Sequence, residues 1–307
     1  VLNQTDITTM VHMPYLGKGG TSLGINFGTA ATVLCKQHIK GYIGTFDRIS
    51  YYETDDDGVP FTFPVENEYY KKAKVDNFEK IPGAPVAYWV SEKLIETFEK
   101  GDMLKDIAAP KKGLDTADNE RFIRCWHEIN IEKACFFSNS HEEAKRSQKK
   151  WFPLNSGGNF RKWYGNFEKV INWENDGQEI CNYPKAYVRA RNYYFREGLS
   201  WTKISSSKLG VRYAPRGFIF DSAGQTVFAD KENEMYILGL LCSCVAFFIL
   251  QIINPTINYQ VGDIERIPVI QIQDENARNI PEDNVKISKD DWDSFETSWD
   301  FKKHPLI

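Results

Sequence analysis

The sequence has no C-x-x-C pair, and its six cysteines (35, 125, 135, 181, 242 and 244) show no framework spacing. That excludes a zinc ribbon or a disulfide-stapled scaffold and points to reduced thiols in a cytoplasmic protein. The five histidines (12, 38, 127, 141 and 304) are scattered without metal-ligand spacing, so no structural metal is expected. Gly17, Gly19, Gly20 and Gly24 do not spell G-x-G-x-x-G entered from a strand, which argues against a nucleotide cradle there. An excess of positive charge is missing too. The 38 Lys and Arg stand against 42 Asp and Glu, a net charge of −4, so any nucleic-acid binding must come from charge placed locally. One run, Met235 to Ile253, has nineteen residues without a charge. It holds Ser243 and Gln251 and lacks basic flanks and an aromatic belt, so the expectation is a buried core helix and no membrane partner. No signal peptide is visible, and the opening Val1-Leu2-Asn3 reads as the interior of something larger.

What is present concentrates in the second half. From Lys185 to Arg216 there are eight Lys or Arg and one acid, Glu197. Trp201 and Tyr213 are interleaved among them, a composition suited to phosphates and bases. The bland alternative is a solvated, Arg-rich β-meander.

In chain order, Ala30–Cys35 is an apolar run suited to a buried strand, and Thr45–Tyr51 reads as a second strand. The acidic turn Glu53–Gly58 is a natural boundary. Tyr69–Phe78 is predicted partly helical and Val86–Val90 a strand, after which Ser91 caps a helix to about Glu99. Lys111–Phe122 is a Gly, Asp and Asn-rich loop of the kind that grips a phosphate or base edge. Glu142–Lys150 is predicted to be a charged helix, and the alternation before Asp176-Gly177 predicts a hairpin. Ile257–Ile264 and Ile267–Val269 read as short strands. From Asp274 to Asp300 nine acids face three basic residues, and Trp292, Phe295 and Trp299 suggest an amphipathic helix seeking a partner.

Several blocks together resemble one family. They are Pro85–Trp89, Lys112–Thr116 with Asp118-Asn119 and Arg121-Phe122, Trp151-Phe152-Pro153, Arg161–Gly165, Val170–Gly177 and Tyr194–Asp221. Asn254-Pro255-Thr256, Gln260–Asp263, Ser298–Phe301 and His304–Leu306 complete the set. The chain resembles the C-terminal specificity part of PglX-type adenine-specific DNA methyltransferases of bacteriophage-exclusion (BREX) systems and related restriction-modification enzymes.

That resemblance implies an α+β, mixed-sheet target recognition domain with packed helices over residues 53–273. The last strands of an α/β methyltransferase domain would precede it at 1–52, and a helical tail or the start of a further segment would follow at 274–307. It implies double-stranded DNA as partner, beside the upstream methyltransferase domain and possible further defence subunits. The expected DNA-facing residues are Lys112, Thr116, Asn119 and Arg121; Lys149, Lys150, Arg161 and Lys162; and Arg189, Arg191, Lys203, Ser206, Lys208, Arg212 and Arg216. The family's adenine-holding Asn-Pro-Pro-Tyr motif and its turn for S-adenosylmethionine do not occur in this sequence. The resemblance therefore assigns catalysis and that cofactor to an upstream part of the parent, and none to these residues. The family loop usually reads Thr-Gly-x-Asn; Ala117 stands where Gly is usual, and a positive φ there would strain it. Two rivals are a hydrolase built on Ser205 and Lys208 as S-x-x-K, whose companion motifs are absent, and a protein-interaction module with the tryptophans as anchors.

Overall fold

The computed structural model describes residues 4–14, 28–205, 208–270 and 274–307. The expectations on Val1–Asn3, on Gly17–Gly24 and on Ser206 lie outside the described residues. Two compact units divide the chain, Val1–Gly101 and Asp102–Ile307.

In the first unit, β1 (Asp6–Met13) lies between β2 (Thr29–Cys35) and β3 (Ile43–Arg48), and β4 (Lys71–Lys74) completes the order β2-β1-β3-β4. Ile7, Phe46, Val75, Phe78 and Tyr88 form its core, with the Phe46 and Tyr88 rings stacked at 4.8 Å. The apolar run in β2 is not buried as expected: Val33 is 60% exposed and Leu34 50%. β2 is an edge strand paired only with β1, and a continuous apolar run does not say which of its faces will be covered. Lys71–Phe78 is a strand followed by a 3₁₀ turn, and Val86–Val90 is irregular, placing Tyr88 in the core without pairing. Helix α1 (Glu92–Lys100) forms as expected. The Ser91 side chain accepts a hydrogen bond from the Leu94 N–H, while Ile95 and Phe98 face inward.

The second unit holds two four-stranded sheets. One runs β11 (Val211–Ala214), β10 (Gly198–Thr202), β13 (Gly224–Ala229), β6 (Ala108–Lys111). The other runs β12 (Ile219–Phe220), β8 (Trp151–Asn155), β9 (Lys169–Asn172), β7 (Ile123–Cys125). A short pair joins β5 (Asp102–Met103) to β14 (Pro268–Val269), with α2 (Leu104–Ile107) following β5. The shared core includes Leu114, Phe122, Phe152, Trp173, Phe195 and Phe220. Mixed sheets with packed helices make this an α+β fold, as expected.

Several local expectations change. After β9 the chain does not turn back as a hairpin but enters α5 (Glu174–Cys181), preceded by the short α3 (Asn119–Phe122) and α4 (His141–Ser147). Asn175, Asp176 and Gly177 have φ of 51°, 60° and 74°, so the Asp-Gly signal for left-handed backbone is honoured inside a helix start. The uncharged run forms α6 (Lys231–Cys242) and α7 (Cys244–Ile253), bent by 72° where the Ser243 side chain caps α7. Leu238, Leu241, Ile249 and Leu250 are buried, as a core segment requires. No single helix among the described residues is long and apolar enough to cross a membrane. Val261–Asp263 fall in helix α8 (Val261–Glu265) where a strand was expected. The Gln260 N–H donates to Asp263 Oδ2 at 2.9 Å, a capping bond that favours helix over strand. The tail forms α9 (Asn276–Asp293), whose Trp292 packs on Tyr164, Phe167 and Phe218, so its partner lies within its own unit.

Candidate nucleic-acid interface

The Lys111–Phe122 loop is fixed from both sides. A Cβ on Gly113 would sit 2.0 Å from the Phe220 carbonyl oxygen, so only glycine permits this approach to β12. Leu114 N–H donates to Phe220 O (3.1 Å) and Ser222 N–H to Leu114 O (2.9 Å). On the other side Asp115 and Tyr187 exchange backbone bonds of 2.9 and 2.8 Å. The Thr116 hydroxyl donates to Asn119 Oδ1 (2.5 Å), and Asp118 caps α3 through the Arg121 N–H (3.0 Å). Ala117 adopts φ 61°, the left-handed backbone that the sequence raised as a source of strain.

Asp221 organises the facing wall. Its Oδ1 accepts from the Ala223 (2.8 Å) and Gly224 (2.9 Å) N–H groups, and its Oδ2 from the Ser156 hydroxyl. Burial raises its pKa against the pull of those donors and of Lys169. Between the walls lies a cleft of about 680 Å³ lined by Thr116–Glu120, Ser156, Lys169 and Asp221–Ala223. A smaller recess of about 150 Å³ adjoins it, shares Ser156 and Lys169, and adds Gly157, Gly158, Asn159, Asn166 and Glu168. The lining joins hydroxyls, amides and Lys169 with the carboxylates of Asp115, Asp118, Glu120 and Asp221. The hydroxyls and amides can hydrogen-bond base edges, and the lysine a phosphate at the rim.

Of the expected residues, this cleft gathers Thr116 and Asn119 directly. Lys112 and Arg189 stand beside it, both paired to Asp115. Burial lifts the Asp115 pKa, but bonds from Ser222 and Arg189 and the charge of Lys112 outweigh it and hold the carboxyl low. The Lys203 N–H donates to Ala223 O (3.0 Å) on the cleft wall.

The other cations are elsewhere in the unit. Arg121 binds Glu179 Oε1 at 2.7 Å and lies 5.2 Å from the Tyr183 ring. Arg191 grips Asp176, which also accepts from His141 (2.8 Å) and Trp173 Nε1 (3.2 Å). Arg161 pairs with Asp291 (3.2 Å) over the Trp292 ring, and Lys162 Nζ donates to Cys242 O (2.5 Å), closing the C-terminus of α6. Arg216 faces Glu197 at 3.5 Å, and the Lys208 ammonium lies over the Phe247 ring. Lys149, which donates to Glu132 O, and Lys150 precede β8. Ser156 follows the other end of that strand, a five-residue run of about 16 Å, so these lysines are not on the cleft.

Arg212 corrects the expectation most sharply. The expectation places it on the DNA surface, yet it is fully buried, because β11 turns it inward, Trp163 pairs beside it along the strand edge and the 157–161 segment lies over its face. Trp201 is fully buried as the sheet's packing requires. The S-x-x-K residues are not placed as a nucleophile with its base: Ser205 Oγ donates to the Lys208 carbonyl at 3.1 Å, while the Lys208 ammonium lies over the Phe247 ring. Ser156, Asn159, Asn166, Lys169 and Ser222 were missed. The polar, glycine-rich run Asn155–Asn159 was the available signal, being the same type of loop as 112–119.

The α+β fold is similar to that of the type IIL restriction-modification enzyme MmeI, solved in complex with DNA. The TM-score is 0.51 at 13% identity, over 99% of this chain and 41% of that one. No family model matches the chain. In sequence it is 37% identical over 292 residues to the adenine-specific methyltransferase PglX of Lacticaseibacillus casei (strain Zhang), covering 91% of this chain. It is 38% identical over 242 residues to the adenine-specific methyltransferase BrxX of Escherichia coli O9:H4 (strain HS), covering 78% of this chain. The chain is thus similar to one segment of the PglX and BrxX adenine-specific methyltransferases. It spans 24% and 19% of the length of these relatives.

Proposed function

We propose that this chain is the DNA-sequence-reading segment of an adenine-specific (N6) DNA methyltransferase of phage defence or restriction-modification. It positions target DNA for S-adenosylmethionine-dependent methylation by an upstream catalytic domain. In this reading residues 1–52 close the methyltransferase domain, 53–273 read DNA, and 274–307 form a helical tail or open the next segment. The observation that carries it is the cleft in which loops from both sheets of the second unit converge, lined by Thr116, Asn119, Ser156 and Lys169. The likeness to a restriction-modification enzyme solved with DNA supports the same partner.

The test is duplex binding across a salt series. Each phosphate contact contributes about −0.9 to the slope of log K against log salt. Lys169→Ala and Lys203→Ala should each weaken binding to all sequences and flatten the slope by roughly 1. Asn119→Ala should cost about 1–3 kcal/mol on the cognate site alone. Binding that is absent, or unmoved by all three substitutions, defeats the proposal.

A second, compatible reading has an observation of its own. In the first unit Tyr52, Phe61 and Phe63 are 89%, 69% and 66% exposed, in a stretch from Tyr51 to Glu68 that holds six acids and no Lys or Arg. Such a surface repels DNA and suits a protein contact. Tyr52→Ala with Phe61→Ala should leave the salt slope of DNA binding unchanged; a lowered slope would sink this reading.

A further inference from the structure

Among the described residues, the buried guanidinium of Arg212 has no anion to answer it. Its Nε and Nη2 have no hydrogen-bond partner, and Nη1 makes only a long bond, 3.4 Å, to Thr202 Oγ1. The groups that act on its charge are the thiol of Cys242 and the like charge of Arg161; no carboxylate among the described residues is one of them. Stripping water from an arginine without a counter-charge is costly, and the fold retains it nonetheless.

The strand register shows what lies over it. Arg212 pairs with Ser200 of β10, so Gly210, Arg212, Ser200 and Thr202 share one face of the sheet. The segment from Gly157 to Arg161 covers that face. Thr202 Oγ1 donates to Gly158 O at 3.1 Å, a Cβ on Gly157 would meet Thr202 Cγ2 at 3.3 Å, and one on Gly210 would meet Arg161 O at 2.6 Å. The outer side of the same segment lines the 150 Å³ recess with Asn159, Asn166, Glu168 and Lys169. Gly157 and Gly158 have φ of 74° and 120°, a main chain bare of side chains, as loops that hold phosphate commonly are. One turn thus has a dehydrated positive charge beneath it, joined to it through Thr202, and at its mouth Lys169 beside Glu168, while the Ser156 hydroxyl is held by Asp221. A charge in low dielectric reaches farther than a solvated one.

We propose that the Ser156–Asn159 turn is an anion subsite for a DNA backbone phosphodiester, with Arg212 supplying charge from below and Lys169 from the rim. The DNA origin of the anion rests on the function proposed above; the subsite itself does not.

Thermal unfolding of the 307-residue chain, followed by tryptophan fluorescence in inorganic phosphate and in chloride at equal ionic strength, tests it. Wild type should melt higher in phosphate. Arg212→Met should melt in chloride at or above wild type, since removing an unanswered buried charge relieves a cost, and should lose the phosphate response. Lys169→Ala should keep the chloride melting temperature and lose most of the response. A wild type indifferent to phosphate, or an Arg212→Met variant that keeps the full response, overturns the proposal. If Arg212→Met fails to fold, Lys169→Ala decides, and an unchanged response there sinks the subsite. A short duplex supplies the second arm and should displace phosphate. A phosphate response lost in both variants, with no duplex binding, would keep the subsite and overturn its assignment to DNA.

Discussion

Glu234 should make the second unit less stable as pH rises from about 4.5 toward 7, and Glu234→Gln should remove that loss. The side chain is 6% exposed at the start of α6, and its Oε1 has no hydrogen-bond partner. Burial first, and then the charge of Glu197, push its pKa from 4.5 up to about 7, against the opposing pull of Lys231 and Arg216. Those cations serve Glu197, which meets Arg216 at 3.5 Å and Lys231 at 3.8 Å and accepts the Tyr213 hydroxyl at 3.2 Å. Because the folded pKa is raised, this group's contribution is fully present below pH 4.5 and is lost as pH climbs toward 7. A rise of about 2.5 units at 1.36 kcal/mol per unit is an upper bound of ~3.4 kcal/mol, which solvent screening reduces to about 2 kcal/mol. Urea unfolding followed by tryptophan fluorescence suits the measurement, since seven of the eight tryptophans lie beyond Gly101. The variant should match wild type near pH 4 and exceed it by about 2 kcal/mol at pH 8. Parallel stability curves for the two proteins from pH 4 to 8 would refute the reasoning.

Ala117→Gly should stabilise the cleft loop. An L-residue at φ 61° costs about 1–2 kcal/mol, and glycine's extra freedom in the unfolded chain returns roughly half, leaving a gain of about 0.5–1 kcal/mol by urea unfolding. A destabilised variant would contradict the loop backbone described above. Arg191→Ala should cost about 1–2 kcal/mol, because Asp176 loses the cation that helps hold its carboxyl low, and should leave the salt slope of DNA binding unchanged. A slope reduced by about 0.9 would show that Arg191 touches a phosphate instead. Titration calorimetry of this chain with S-adenosylmethionine should show no binding, since the motifs for it do not occur in the sequence; micromolar affinity would overturn the assignment of the cofactor to the upstream part.

The sequence was most legible where one local rule acted alone. Ser91 at the start of α1 gives a correct element, because a cap is read from a few neighbours; the apolar content of 235–253 gives the burial of the segment but not its break into α6 and α7 at Ser243. It was least legible where pairing decided. Nothing in Ala30–Cys35 states that β2 would sit at a sheet edge, and nothing in Val170–Trp173 states that the Asp176-Gly177 backbone would begin a helix. The cleft was half legible. Thr116 and Asn119 follow from a loop composition, while Lys169 stands at the start of β9 and reaches the cleft only because β9 lies beside β8, which ends at Asn155.

Counting cations along the chain overstates the surface they offer. Lys112 and Arg189 share Asp115, Arg121 has Glu179, Arg161 has Asp291, Arg191 has Asp176 and Arg216 has Glu197. These pairs are partly exposed and individually weak, so a phosphate can compete for the guanidinium, but the neighbouring carboxylate lowers the net charge it offers DNA. Of the acids that answer the stretch from Lys185 to Arg216, Asp115 and Asp176 lie well upstream and Glu197 within it, which is why the stretch looks largely unanswered when read as a string. What stays available is smaller and better placed. Lys169 lines the cleft without an ion pair among the described residues, the Lys203 main chain is bonded to the cleft wall at Ala223, and Arg212 lies behind the turn that lines the adjoining recess. If the proposed function holds, sequence discrimination would fall to amides and hydroxyls such as Asn119 and Thr116, and affinity and its dependence on salt to the few unpaired lysines.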